Sequence, residues 1–284
     1  MKTRRTTPRT RPARKRFGQH FLEPAWIDKL VRAIDPKPED TFIEIGSGRG
    51  ALTRPLADRA RHVIAFEIDR DLARDLRHSA PPNVTVVEGD FLTTSRQLLS
   101  SPQSPVPNPR ATLRVAANLP YNVASPILFK LVELYDAGLP IADATIMLQR
   151  EVADRLLANP GTKEYGVLTV LMRHSATVER VMNLPAGAFR PVPKVQSTVV
   201  RLRFHEPDPP VRDRDLFARL VQAVFTRRRK TLANALDAFE PVRGPRPIGL
   251  ERRVPLDAAG MDARRRPETL SIAEFARLAD VFAE

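Results

Sequence analysis

Apolar positions along this chain alternate between two periods. Residues 24–34 place Trp26, Ile27, Leu30, Val31 and Ile34 at helical spacing, and Pro36 and Pro38 end that helix. Thr41 to Ile45 then reads as a buried strand running into glycines, with further strands at Val63–Ile68 and Val84–Val87. Helical patterns at Leu52–Arg59 and Leu72–His78 separate them. Strands alternating with helices predict a parallel sheet of βαβ units, an α/β fold. Leu113 to Ala117 reads as the end of another strand, followed by a helix over roughly Pro126–Tyr135 and a strand at Ala144–Leu148. Residues 149–159 look helical, and Val167–His174 is helix or strand. Thr177–Met182 and Ser197–Phe204 close this part as strands.

At 205–213, HEPDPPVRD collects three prolines and several charges, and beyond it the period turns helical. Leu216, Phe217, Leu220, Val221, Val224 and Phe225 form one apolar face; Leu232, Leu236 and Phe239 form another. Ser271 with Glu274 reads as a capping box opening a last helix. The organisation expected is a basic arm at 1–16, an α/β domain at 17–205 and a small helical domain at 206–284. Residues 100–110, rich in Pro and Ser, read as a surface loop.

Composition narrows the function. With 284 residues and 42% hydrophobic content the chain can bury a full core. No run of 18 apolar residues predicts a membrane span, and no apolar segment follows the basic N-terminus to make a secretory signal. There is no cysteine, which fits the cytoplasm, and the five histidines include no pair with ligand spacing, so no metal is expected. The net charge of +13 favours a polyanionic partner. Residues 1–16 hold eight Lys or Arg, among them Arg14, Lys15 and Arg16, and no acid. Such a block suits phosphate binding, a solubilising tail or an Arg-rich transit peptide.

Asn118-Leu119-Pro120-Tyr121 follows the strand at 113–117. In an open α/β sheet the carboxyl ends of the strands face the ligand crevice. The Asn carbonyl oxygen accepts from an exocyclic amine, proline stiffens the chain, and the tyrosine ring offers a face for a base. The group suits gripping a flipped-out nucleobase by its amino group; the plain alternative is a strand end before a proline turn.

Glu44-Ile45-Gly46-Ser47-Gly48-Arg49-Gly50 follows the first strand and opens a helix. The glycines let the turn tighten and a ligand approach the backbone. Glu67, about twenty residues on, can bind both hydroxyls of a ribose. A dinucleotide site prefers another glycine spacing, and the acid Glu44 would repel a pyrophosphate. An adenosine carrying a positive sulfonium, S-adenosylmethionine, fits better. Asp90, after Gly89, either accepts from an adenine amine or caps a helix. Phe189, in the stiff run Phe189-Arg190-Pro191-Val192-Pro193, is a second stacking face or a core aromatic. Arg227, Arg228, Arg229 and Lys230 continue an amphipathic helix, where some can reach phosphates.

These residues make the chain resemble the ribosomal RNA adenine dimethyltransferase family, most closely the branch that modifies small-subunit RNA. The resemblance runs from Arg14 to the last helix, through RKRFGQHFL at 14–22, EIGSGRGALT at 44–53, FEIDRDL at 66–72, GD at 89–90, NLPYN at 118–122, FRPVPKVQS at 189–197 and FTRRRKTLANAL at 225–236. Each motif is modest alone; seven in order are specific. The resemblance implies a Rossmann-like S-adenosylmethionine-dependent methyltransferase domain with a small C-terminal α-helical domain. It implies dimethylation of N6 on two adjacent adenosines near the 3′ end of small-subunit ribosomal RNA, with the assembling small subunit as partner. By position, His20, Leu22, Gly46, Glu67, Asp90 and Asn118 match cofactor contacts, with Gly48 in the same turn. Asn118 and the Leu119 carbonyl would hold N6, and Tyr121 and Phe189 match the base-stacking aromatics. His20 departs from the asparagine the family often carries. The sister branch, which methylates large-subunit RNA, usually differs after the asparagine and lacks the basic run at 225–231. No extra amphipathic surface demands a dimer. An RNA-binding assembly factor without activity and a nicotinamide-dependent oxidoreductase are the competing classes; the first needs no intact cofactor residues, and the second is disfavoured by Glu44.

Overall fold

A computed structural model of the chain describes residues 21–100, 106, 112–119, 123–240 and 253–283. Its strands are β1 (Phe21–Leu22), β2 (Thr41–Ile45), β3 (His62–Glu67), β4 (Val84–Glu88), β5 (Leu113–Asn118), β6 (Ile141–Gln149), β7 (Ala176–Leu184), β8 (Phe189–Arg190) and β9 (Ser197–Phe204). Its helices are α1 (Pro24–Ile34), α2 (Thr53–Ala57), α3 (Arg70–Ser79), α4 (Arg96–Ser100), α5 (Ala124–Asp136), α6 (Arg150–Leu156), α7 (Val167–Ser175), α8 (Arg214–Thr226), α9 (Leu232–Ala235), α10 (Arg253–Ala258) and α11 (Ile272–Phe282).

Seven strands form one sheet in the order β4-β3-β2-β5-β6-β9-β7. The first five are parallel. Their sequences are predominantly apolar because the central strands are covered on both faces. In β2, Phe42 packs with Leu30, Val31 and Ile34 of α1, whereas Ile43 and Ile45 pack with the layer that holds Ile127, Leu128 and Leu131 of α5. The parallel expectation fails at one edge, where β9 inserts antiparallel between β6 and β7. Only residues 185–196 join β7 to β9, and such a connection suits antiparallel neighbours, whereas parallel ones need a crossover.

The C-terminal helices have a separate core of Leu216, Phe217, Leu220, Val221, Val224, Leu232, Leu236 and Phe275. Ala158, Tyr165 and Val170, upstream of residue 205, join it, and the Tyr165 hydroxyl donates to the Leu270 carbonyl at 2.8 Å. The capping box forms as its sequence predicts: Glu274 N–H donates to Ser271 Oγ at 3.2 Å and Ser271 N–H to Glu274 Oε2 at 2.8 Å. One helical expectation is corrected. α8 stops at Thr226, and Arg227 leaves helical geometry at φ −118°, ψ 33°. The chain turns there because α9 must start again at Leu232 to bury Leu232 and Leu236.

Candidate active site

The carboxyl ends of β2, β3, β4 and β5 open on one edge, where most of the expected residues meet. Gly46, Gly48 and Gly50 have φ of +77°, +57° and +80°, the left-handed region that favours glycine. A side chain at Gly50 would also press on Leu76, with a Cβ only 2.6 Å from its Cδ1. The N–H groups of Gly46 and Ser47 both donate to the Phe66 carbonyl, at 2.9 and 3.1 Å, pinning the turn to β3. A Cβ on Gly46 would lie 3.7 Å from the Asn118 carbonyl oxygen, so the glycine turn and the end of β5 adjoin.

Glu67 ends β3 and is 5% exposed. Gly48 N–H donates to its Oε2 at 2.6 Å and Asp69 N–H to its Oε1 at 2.8 Å. Burial pushes this carboxyl up, and the two backbone donors oppose that. Each oxygen keeps a further lone pair, so the fixed carboxylate can still accept from two ribose hydroxyls. Beside it Ile68 is 51% exposed. An isoleucine left bare at the crevice gives an apolar face to a flat ring, a candidate contact that the sequence pattern hid within the strand.

Glu44 is buried at the other side of the turn. Its Oε2, with Ser47 Oγ and Thr53 Oγ1, has no hydrogen-bond partner. Burial pushes Glu44 up to about 7; the nearby Thr53 hydroxyl opposes the shift and the charge of Glu67 adds to it. A group at this value is half ionised at neutral pH. A cation entering the turn would draw out its charge, whereas a pyrophosphate would hold it protonated. A buried polar atom without a partner calls for one, and Ser47 Oγ stands so at this turn, with the Thr53 hydroxyl turned to Glu44. The residues therefore fit a cationic adenosyl ligand.

The same burial sets a pH dependence. The folded-state value lies above the unfolded one, so the native chain holds a proton that the unfolded chain releases. Stability from this group is complete below about pH 4.5 and is lost as pH rises toward 7, by about 3 kcal/mol in all. Without cofactor, Glu44→Gln should flatten this slope relative to wild type. Chemical denaturation at pH 5 and pH 8 checks it; equal slopes in both proteins would refute it. Glu67 titrates in both proteins and is coupled to Glu44, so the difference reads Glu44 together with that coupling.

Asp90 does what the plainer reading predicted: its Oδ1 accepts from Leu92 N–H at 2.9 Å and caps a short 3₁₀ turn at Phe91–Thr93. The carboxylate is exposed, and its remaining acceptor capacity can take an adenine amine. Asn118, the last residue of β5, is half-buried opposite Met147 of β6. The Leu119 side chain is 2% exposed in the core, which leaves its main chain for any contact with substrate.

Phe189 corrects an expectation. Its ring is 1% exposed and packs in one cluster with Leu22, Leu30, Val31 and Leu184. The cause is the two-residue ladder of β1 with β8, in which Leu22 faces Phe189. In this arrangement Phe189 is a core aromatic and offers no face to a base. Leu22 is likewise buried, so a cofactor contact there would come from its backbone. His20, Tyr121, Arg14, Lys15 and Arg16 lie outside the described residues.

The basic run divides in two. Arg227 pairs with Asp237 at 3.0 Å and Arg228 with Glu268 at 3.1 Å. Arg229 and Lys230 are exposed and have no acidic partner among the described residues, so they are the cations left for phosphates. Among the described residues no three His, Asp or Glu group to hold a metal, and no helix is long and apolar enough to cross a membrane.

Comparison with known proteins agrees with this geometry. The family model described as ribosomal RNA adenine dimethylase matches residues 10–276. A ribosomal RNA small subunit methyltransferase A of Acinetobacter baylyi is 43% identical over 272 residues, covering 94% of this chain and 92% of that protein. The protein of the same name from Haemophilus influenzae is 40% identical over 277 residues, covering 96% and 91%. Among solved structures, a dimethyladenosine transferase from Plasmodium falciparum superposes with a TM-score of 0.72 at 28% identity, covering 91% and 96%. The 23S rRNA methyltransferase ErmE superposes with a TM-score of 0.63 at 30% identity, covering 93% and 100%. With a Rossmann-like fold, a glycine turn and Asn118 at one edge, and this likeness along nearly its whole length, the chain belongs to the ribosomal RNA adenine dimethylase family and is a methyltransferase acting on ribosomal RNA adenines.

Proposed function

We propose that the chain takes methyl groups from S-adenosylmethionine and dimethylates N6 of two adjacent adenosines near the 3′ end of small-subunit ribosomal RNA. The observation that carries this reading is the junction of two sites: the glycine turn with Glu67, which suits an adenosyl cation, adjoins Asn118, which suits an adenine amine. The branch rests on names and identity. Relatives at 43% and 40% identity are named for the small subunit, whereas the 23S enzyme is 30% identical.

Gly46, Gly48, Glu67 and Asp90 would hold the cofactor, with His20 and the Leu22 backbone as further contacts. When bound, the cofactor supplies an electrophilic methyl carbon on a positive sulfur. Asn118 Oδ1 and the Leu119 carbonyl accept the two N6–H bonds, which favours a pyramidal amine with its lone pair exposed. Tyr121 holds the base by stacking, and cation–π attraction to its ring stabilises positive charge arising on it. No strong base is needed, since the methylated nitrogen becomes acidic and releases its proton to solvent. Orientation supplies most of the rate. Arg229, Lys230 and the basic arm hold RNA phosphates. The protein acts as a monomer, in the cytoplasm, on an assembling small subunit.

The test is methyl transfer from labelled S-adenosylmethionine to unmethylated small subunits and, separately, to large-subunit RNA, with modified bases identified by mass. Dimethyladenosine in the small-subunit RNA is expected. Label confined to large-subunit RNA would move the chain to the sister branch, and cofactor binding without label would mean another substrate.

A further inference from the structure

Two stretches far apart in sequence meet beside the basic turn at 227–230. The loop between α6 and α7 bends sharply at Asn159-Pro160-Gly161-Thr162, where Gly161 takes φ +88° and Thr162 N–H donates to the Asn159 carbonyl at 3.1 Å. This loop is tied to the C-terminal helices at three points. Gly161 N–H donates to the Glu268 carbonyl at 2.7 Å, Arg228 Nη1 to the Lys163 carbonyl at 2.9 Å, and the Tyr165 hydroxyl to the Leu270 carbonyl at 2.8 Å. Arg228 Nε also donates to Glu268 Oε2 at 3.1 Å.

Arg228 is half-buried with its charge met by Glu268, so it serves as a clamp rather than a phosphate contact. The residue it clamps is a lysine. Lys163, like Arg229 and Lys230, is exposed and has no acidic partner among the described residues. Its main chain lies one hydrogen bond from the side chain that immediately precedes Arg229. Three cations without a carboxylate, from the loop after α6 and from the basic turn, therefore share one surface. An ammonium is a hydrated point charge that suits a phosphate oxygen and fixes position without reading sequence. The acid beside it belongs to another part of the surface: Glu164 lines the depression next to Gln149, together with Glu151 and Asp154. Those carboxylates repel a phosphate backbone and keep it to the Lys163 side.

We propose that Lys163 completes one phosphate-binding surface with Arg229 and Lys230, that Arg228 is its positioning residue, and that a strand of ribosomal RNA lying there engages the loop and the C-terminal helices together. The inference rests on the reading of Arg229 and Lys230 as phosphate contacts given above. The surface is joined to the chemistry through the sheet. α6 starts at Arg150, directly after β6, and β6 pairs with β5, which ends in Asn118. Contacts made this far from the reacting amine hold ground state and transition state alike, so they act on KM and leave kcat unchanged.

The test uses the full-length protein and the ribosomal RNA substrate that wild type labels, over about 50–200 mM salt. Lys163→Gln should raise KM about three- to tenfold and reduce the slope of log KM against log salt by about 0.7–0.9, the share of one phosphate. Its kcat and its affinity for S-adenosylmethionine should match wild type. Lys163→Arg keeps the charge and should keep the slope. Arg228→Gln should also raise KM and reduce the slope, and in that background Lys163→Gln should add less than about twofold. Glu164→Gln should not weaken binding. Thermal melts verify that the variants fold. A wild-type KM and slope in Lys163→Gln, beside weakened binding in the double variant Arg229→Gln, Lys230→Gln, would overturn this inference and leave the phosphate reading of the basic turn intact. Wild-type binding in that double variant would overturn the phosphate reading, and this inference with it.

Discussion

Asn118→Ala should lower methyl transfer about 10²–10³-fold while cofactor affinity falls less than about tenfold. The split follows from what the substitution removes. The main chain of Asn118 is held in the ladder opposite Met147, and it is the main-chain carbonyl that lies against the glycine turn. Both survive in alanine. The lost side-chain oxygen would contact N6, which gains positive charge as the methyl transfers, so its contribution is larger in the transition state than in the ground state. Asn118→Asp keeps an acceptor oxygen and should retain more activity than alanine. Single-turnover rates measure the first effect and calorimetric titration with S-adenosylmethionine the second. Near-normal turnover in the alanine variant would remove Asn118 from the chemistry.

The parts of this molecule that sequence reveals are those whose cause is local. β2 to β5 are visible within a residue or so because strands of a covered parallel sheet are predominantly apolar. The Ser271–Glu274 box is visible because both its bonds lie within four residues. The glycine turn, Glu67 and Asn118 are visible as a group because each ends or follows a strand, and parallel strands deliver their ends to one edge. The misses have distant causes. The antiparallel place of β9 depends on pairing with β6, some fifty residues away. The burial of Phe189 depends on Leu22, across a ladder too short to show any period. The end of α8 is set by apolar positions in α9. For Glu44 the sequence gives the charge, yet only its burial beside Thr53 and Glu67 shows that the group is poised near neutrality.

Arg114→Leu should cost about 3–5 kcal/mol of stability. Arg114 stands near the start of β5 with its side chain 13% exposed between Asp40 and Asp143, at 2.6 and 3.0 Å. Nη2 also donates to the Ile34 carbonyl at 2.8 Å and Nη1 to the Asp35 carbonyl at 3.1 Å, so the same group closes the end of α1. Its face lies over Phe42, 5.1 Å from the ring centre. Burial disfavours the charge, but Asp143 and Asp40 outweigh it and hold the guanidinium above its ordinary value. Leucine would leave two carboxylates without their cation and two helix-end carbonyls without a donor, in a setting too dry for water to replace them fully. Arg114→Lys should recover less than half of the loss, since one ammonium cannot span the partners that a five-donor fork reaches. A domain stable by about 5–15 kcal/mol would lose a large share of that margin. Turnover per folded molecule should hold at low temperature, because Asn118 lies four residues along β5, about 13 Å away. Urea denaturation with activity measured at 10 °C tests both halves. A loss under about 1 kcal/mol would reclassify the cluster as a screened surface pair, and a fall in turnover of the folded variant would mean that the amino end of β5 sets the geometry at its carboxyl end.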